Sequence, residues 1–330
     1  MSLSIAGVSA ADNQAWDAAY SACEHATFFH SRAWAESWAA GSGQPVSPEP
    51  LQVRFSDRAI AILPLSRLVE FRGLDSVLLS SPGGTFGGWI AEQPLTPEHG
   101  GLLTRFLLDA GRHNLSWRLN PYDPHSPSAL DGGEETLVLD ISGGFDALQQ
   151  AWRKRRPALL RKVRKARDAG VTVRRADSDD DWQAYDAVYR ASLARWGERA
   201  TAAHPRSLFQ ALARRGSPEI ALWLAEHEGR VIAGALCLQA RSHAVYWHGA
   251  ALAEDFPLRP VNLLLHEAIR HACERGCCWF DFNPSAGQQG VIAFKRSLGG
   301  KPRPAPLITV EGARRAALRS LRGRLCGSAA

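Results

Sequence analysis

The sequence predicts a mixed α/β protein of two tandem domains, each a mixed sheet flanked by helices, and three observations lead there. The chain has 330 residues, more than one ordinary hydrophobic core serves, and two domains of about 150 residues are the natural division. From Val171 onward the periodicities give strand, helix, helix, three strands, helix, strand, helix, strand. The first half repeats that order less clearly, as a duplicated fold would. The expected division is 1–142 for a degenerate N-terminal copy, 143–310 for a better formed copy that opens on a basic helix, and 311–330 for a peripheral tail.

In the second copy Val171–Arg175 alternates as a short strand. Ser178 with Asp181 three residues later resembles a capping box, and the helix it opens carries Trp182, Tyr185, Tyr189, Ser192 and Trp196 on one face. Pro205 opens a second helix with Leu208, Phe209 and Leu212 inward and Gly216 after its end. Glu219–Glu226 and Arg230–Ala240 read as a hairpin around Glu228 and Gly229, and Ala244–Ala251 as a third strand. Pro260 starts a helix whose Val261, Leu264, Leu265, Ala268, Ile269 and Ala272 form one apolar stripe, and Gly276 stops it. Cys278–Phe282 is apolar on both faces, so it should be a central strand. A helix over about 288–298 and a last strand, Pro306–Val310, complete the set. A meander followed by a helical crossover gives a mixed sheet with helices on both faces.

In the first copy Ser31 can cap a helix carrying Trp34 and Trp38. Leu51–Phe55 and Ala59–Leu68 read as a hairpin, and Ser76–Ser80 as a third strand. A helix from Pro97 to about Gly111 precedes strand Leu115–Asn120, and Thr136–Ile141 is a later strand. Asn120–Glu134, rich in Pro, Asp, Ser and Gly, is loop.

Composition excludes several classes. Apolar residues make up 45% and charged residues 22%, with 11 Trp, which suits two buried cores and not a disordered chain. No stretch approaches the roughly 20 apolar residues of a membrane span. The N-terminus lacks a basic and apolar leader, so a cytoplasmic location is expected. The six Cys form no framework, and His266, His271, Cys273 and Cys277 read as one helix face and the strand after it, so no metal is expected. The net charge is +6, yet residues 151–175 alone carry +10 and the remainder −4. One basic helix, not a basic protein, has to be explained.

Five segments resemble one family when taken together. Asp281-Phe282-Asn283-Pro284, a glycine loop, then Phe294-Lys295 and Gly299 is similar to the C-terminal signature of the FemAB-like branch of the GNAT acyltransferases. Arg153–Gly170 resembles that family's basic helix, Arg195-Trp196 its RW pair, Pro260 with Leu263-Leu264 its P-x-x-L-L, and Phe29-His30-Ser31 with Trp34 its F-H-S-x-x-W. The resemblance spans about residues 28–300. It implies a tandem GNAT fold and transfer of an acyl or aminoacyl group to an amine, often in cell-envelope or polysaccharide synthesis. The donor it implies is an acyl-coenzyme A or an aminoacyl-tRNA. Arg259-Pro260-Val261-Asn262 stands where coenzyme A enzymes of the fold carry a glycine-rich loop, and no helical hairpin typical of tRNA-dependent members is inserted.

Candidate site residues follow. Asp281 ends the buried strand, where α/β sheets place ligands, and can orient or deprotonate an amine, or simply cap the next turn. The main ligand cleft is expected there. Asn283 and Ser285 are turn formers or ligand contacts. Lys295 can neutralise a phosphate or a carboxylate, or be a solvated helix lysine. His248, after Tyr246 and Trp247, is a general base or a satisfied core histidine. Arg259 and Asn262 lie where the helix opened by Pro260 could receive a pyrophosphate. Arg195, Trp196, Trp247, Arg161 and Lys165 are candidates for substrate contact. Ser81–Gly88 is a glycine loop that either cradles a ligand or merely connects. The expected function is N-acyl transfer from an anionic donor to a small-molecule amine. The alternatives are a catalytically inactive GNAT-like scaffold or a nucleic-acid (tRNA) binder using residues 151–175.

Overall fold

The computed structural model describes residues 2–109, 114–127, 133–200 and 202–327. The chain forms two compact units: Met1–Gly133 with Pro304–Ala330, and Glu134–Arg303. The expected helix end at Gly111, the centre of the loop after Asn120 and the last residues of the tail lie outside the described residues.

The first unit holds two sheets. One is antiparallel, with β1 (Ile5–Ala10), β3 (Leu51–Phe55) and β4 (Ile60–Leu63) in the order β1-β3-β4. The other contains β2 (Val46–Pro48), β5 (Ser66–Glu70), β6 (Asp75–Leu79), β7 (Leu115–Arg118) and β15 (Leu307–Val310), in the order β15-β7-β6-β5-β2. The expected single strand Ala59–Leu68 is thus two strands in two sheets. Pro64 has no N–H to give a ladder, so the chain leaves one sheet at Leu63 and enters the other at Ser66. Helices α1 (Asn13–Ala22), α2 (Arg32–Gly41) and α3 (Pro97–Leu107) cover the sheets. Ser31 caps α2 by accepting from the Trp34 N–H, which turns Trp34 and Trp38 inward. Val53, Leu63, Leu78, Leu103 and Trp117 share one core.

The second unit holds α4 (Gly144–Arg155), α5 (Pro157–Asp168), β9 (Thr172–Arg175), α6 (Asp179–Trp196), α7 (Arg206–Ala213), β10 (Ile220–His227), β11 (Arg230–Ala240), β12 (His243–Ala251), α8 (Pro260–Glu274), β13 (Trp279–Asp281) and α9 (Gln289–Leu298). With β8 (Glu135–Asp140) and β14 (Lys301–Pro304) its strands form a seven-stranded sheet, β14-β8-β13-β12-β11-β10-β9. The basic helix is two helices, because Pro157 breaks the run after Arg156. Ala233, Ala235 and Cys237 of β11 join the core beneath Leu264 and Leu265 of α8, while Gly234, which points the other way, lies under Tyr185 of α6. Helices therefore pack on both faces, as expected.

Two strand placements differ from expectation. The last strand was expected in the second sheet, but Leu307–Val310 pairs antiparallel with β7 of the first unit. Thr136–Ile141, expected in the first copy, gives β8, which pairs antiparallel with β13. Its Thr136–Leu139 run is buried throughout, as suits a strand flanked by β13 and β14. Period and polarity identify a strand but not its ladder partner. The tail forms α10 (Ala313–Gly327), and Arg315 on it bonds Glu70 and Asp75, which face each other where β5 and β6 are joined.

Candidate active site

The geometry starts with a strand that parts from its neighbour. β12 pairs in parallel with β13 only over His243–Val245, opposite Trp279–Asp281, and then continues to Ala251 beside β11. Its register against β11 slips between Val245 and His248, with Leu236 opposite His248 and Cys237 opposite Tyr246, so Trp247 is the extra residue of a bulge. Gly249 follows because Tyr246 lies along the strand: a Cβ at 249 would collide with the Tyr246 Oη.

At the parting point β13 ends on Asp281, which is fully buried. Its Oδ1 accepts from Thr136 Oγ1 at 2.5 Å and from the Asn283 N–H at 2.6 Å. The loop after it turns through positive φ at Asn283 (60°), Ala286 (45°) and Gly287 (73°). Lys295 of α9, 5% exposed, holds that loop. Its Nζ donates to the Asn283 carbonyl at 2.7 Å, the Ser285 Oγ at 2.9 Å and the Pro284 carbonyl at 3.3 Å. Burial pulls the ammonium pKa down to about 8, while the Asp281 and Glu134 carboxylates push the other way. Lys295 is therefore neither solvated nor free for a phosphate in this structure, since its three protons tie down one loop. The Asn283 Oδ1 is buried and has no hydrogen-bond partner among the described residues.

The start of α8 forms a second locus. Arg259 takes the left-handed conformation (φ 62°) just before Pro260, and no side chain caps the helix. In its first turn Pro260 has no N–H and the Asn262 N–H donates to the Arg259 carbonyl at 3.1 Å, which leaves the Val261 N–H at the positive end of the helix. Asn262, 6% exposed, sits in that turn with its Nδ2 buried and unpartnered among the described residues.

His248 lies on β12 beyond the parting point. It shares a 2.5 Å hydrogen bond through Nδ1 with Tyr185 Oη. Its ring meets Tyr189 edge-on at 4.4 Å and packs near Phe209, Trp247 and His204. Burial, then the positive fields of His204 and Arg190, hold its pKa well below the ordinary histidine value. Burial takes His204 down to about 4. Both rings are neutral near pH 7, so His248 is a packed, hydrogen-bonded histidine and a weak base. Arg195 donates to the Ala251 carbonyl at 3.0 Å and lies over Phe256 (4.9 Å) and Trp196 (5.8 Å).

The structure thus joins Asp281, Asn283, Ser285 and Lys295 in one cluster, Arg259 with Asn262 in a second, and Trp247 with His248 in a third. Arg161 and Lys165 are exposed on α5 and bond to none of these. Ser81–Gly88 is no open cradle: Ser81 Oγ donates to the Phe29 carbonyl, Thr85 Oγ1 to the Pro82 carbonyl, and Gly83 presses on Trp38. Two cavities, of about 110 Å³ between α6 and α7 and about 590 Å³ beside Arg315, are not lined by the Asp281 cluster. Thr136, Tyr185 and Phe256 were not among the site residues expected from the sequence. Thr136 lies 145 residues from its partner Asp281, and no local pattern marks such a pair.

A parallel pair that splays after three residues, a bulge on the departing strand and an uncapped crossover helix mark the second unit. Residues 153–296 match the acetyltransferase (GNAT) domain family. The whole chain is similar in fold to FemX, with a TM-score of 0.69 at 14% identity, over 96% of this chain and 99% of that one. A conserved protein of Bacteroides thetaiotaomicron matches with a TM-score of 0.59 at 11% identity, over 92% of this chain and 99% of that one. A C-terminal domain assigned to a lysylphosphatidylglycerol synthetase of Agrobacterium fabrum matches with a TM-score of 0.54 at 14% identity, over 80% and 85% of the two chains. No curated protein sequence matches at a significant level. Among the described residues, no helix is long and apolar enough to cross a membrane.

Proposed function

We propose that the enzyme is an N-acyltransferase that moves an acyl or aminoacyl group from an anionic donor to the amine of a sugar, an amino acid or a cell-envelope precursor. The donor is an acyl-coenzyme A, with aminoacyl-tRNA as the alternative. The observation that carries this reading is Asn262: a buried, unpartnered amide donor in the uncapped first turn of α8. A phosphate oxygen satisfies that side-chain N–H and the charge of Arg259 together, at the positive end of the helix.

The acceptor enters as a free amine whose N–H donates to the unpartnered Asn283 Oδ1. Its nitrogen forms a bond to the donor carbonyl carbon as the C–S or C–O bond to the carrier breaks. One proton leaves the amine, and the departing thiolate or alkoxide takes one up. Asp281 and Lys295 fix the loop that presents Asn283, so much of the rate comes from orientation. Arg195 holds the end of β12 and lies over Trp196; in this reading Trp196 and Trp247 contact the remainder of the acceptor.

The test is a thermal-shift and calorimetric titration with coenzyme A, acetyl-coenzyme A and an aminoacyl-tRNA. One of these should raise the melting temperature in proportion to its affinity. Asn262→Ala should weaken that ligand about tenfold or more, the worth of a hydrogen bond to a charged group. Failure of every donor to bind, or unchanged affinity in Asn262→Ala, would overturn the proposal.

A further inference from the structure

Several arginines of the second unit are paired. Arg174 bonds Asp181 at 2.5 Å and Glu226 at 2.7 Å, and Arg190 bonds Asp186 at 2.9 Å. Arg230 reaches Asp255 at 3.0 Å, Arg167 reaches Glu267 at 2.6 Å, and Arg270 reaches Glu267 at 2.8 Å and Glu274 at 3.1 Å. What sets apart the stretch from the last turn of α4 through α5 is how closely its unpaired cations are spaced. Lys154, Arg155, Arg161, Lys162, Arg164 and Lys165 make no side-chain hydrogen bond or ion pair among the described residues. Five of the six are exposed, and Lys162 is half-buried.

Packing explains why the helix survives this crowding. Leu159, Val163 and Ala166 are buried and anchor α5 in the core. Arg161, Arg164 and Lys165 then share the opposite face at spacings of three and four residues, where like charges repel. Asp168 is the single acid on that face. The repulsion is relieved by a partner that brings dense negative charge.

We infer that this face docks the enzyme on the surface of an anionic lipid bilayer. A headgroup plane asks only for closely spaced cations on a convex face, which is what α5 offers. Single-stranded nucleic acid asks in addition for aromatic platforms on which bases stack. Here Trp152, the aromatic residue nearest in sequence, is 2% exposed. No strongly exposed large apolar side chain lies between Gly144 and Asp168 either, so the attachment is electrostatic and reversible, without insertion. The inference goes beyond the transfer reaction and does not depend on which donor is used.

The experiment is co-sedimentation of the full chain with vesicles of phosphatidylcholine mixed with phosphatidylglycerol, and with vesicles of phosphatidylcholine alone. Binding should require phosphatidylglycerol and vanish toward about 1 M salt, where screening shortens to about 3 Å. Arg161→Glu with Lys165→Glu should lower partitioning at least about 30-fold, from about 1 kcal/mol lost at each of two sites. Should the double reversal fail to fold, by circular dichroism, Arg161→Gln with Lys165→Gln replaces it with the same direction expected. Three results would each overturn the inference: equal binding to both vesicle types, phosphatidylglycerol binding untouched by the substitutions, or retention of RNA without retention of vesicles. Since the readout is lipid binding, its failure leaves the transfer reading intact, and the reverse also holds.

Discussion

At the scale of single residues, Lys295 combines burial, charge and three hydrogen bonds. Its folded pKa of about 8 lies below the ordinary 10.5. Between those values the unfolded chain binds more protons than the folded one, so this group makes stability rise with pH across that window. Lys295→Met should lose that rise. Urea unfolding of both proteins at the two ends of the window tests it: the native protein should gain on the variant as pH rises, and parallel curves would refute the assignment. Asp281→Asn keeps an amide oxygen for the Thr136 hydroxyl but removes the charge beside Lys295. Turnover should fall at least about tenfold while the melting temperature moves by a few degrees, a split that steady-state kinetics and calorimetry can read. Near-native turnover in Asp281→Asn would remove the residue from the site.

Among elements, α8 and β12 were the most legible in sequence, and for different reasons. The α8 stripe repeats at helical spacing between a proline and a glycine, so both its face and its ends were readable. Leu264 is 1% exposed in the core beneath it. Leu264→Ala should cost about 2–5 kcal/mol by chemical denaturation. β12 was legible as a strand, but its bulge at Trp247 was not, because an extra residue in a ladder leaves little trace in an apolar run. Gly249→Ala would test the bulge. The Tyr246 ring must leave its place, and a destabilisation of about 1–3 kcal/mol is expected from overpacking. Asp281 and Lys295 were readable as members of a motif. What they touch was not, since Thr136 and the carbonyls around Asn283 are brought up by tertiary structure alone. His248 showed the reverse. Its position invited a basic role, and only the Tyr185 hydroxyl and the aromatic rings around it mark it as a packed neutral ring.

At the scale of the whole molecule, the tandem plan was legible and its wiring was not. Two runs of similar element order predicted two sheets, yet the C-terminal segment serves the first. β15 pairs with β7 along Leu115–Arg118, and Arg118 also donates to the Ala305 carbonyl at 3.0 Å. Removing residues 304–330 should therefore weaken the unit that is remote in sequence. The cut bares the β7 edge and deprives Arg118 of an acceptor. Amide hydrogen exchange should quicken in β6 and β7 while β10 and β11 keep their protection. Equal protection of β7 with and without the segment would contradict this.

The return of Leu307–Val310 to β7 also sets a timetable for the nascent chain. Translation delivers residues 1–133 first, but their five-stranded sheet lacks an edge strand until residue 310 has left the ribosome. Glu134–Arg303 emerges with all seven strands of its sheet nearly in hand and can close before its predecessor. The usual N-to-C order of domain completion is inverted. Meanwhile the half-made unit must wait with an open β7 edge, across a loop of nearly two hundred residues whose closure is slow. Chaperone dependence during synthesis should therefore concentrate on the part of the protein that is made first.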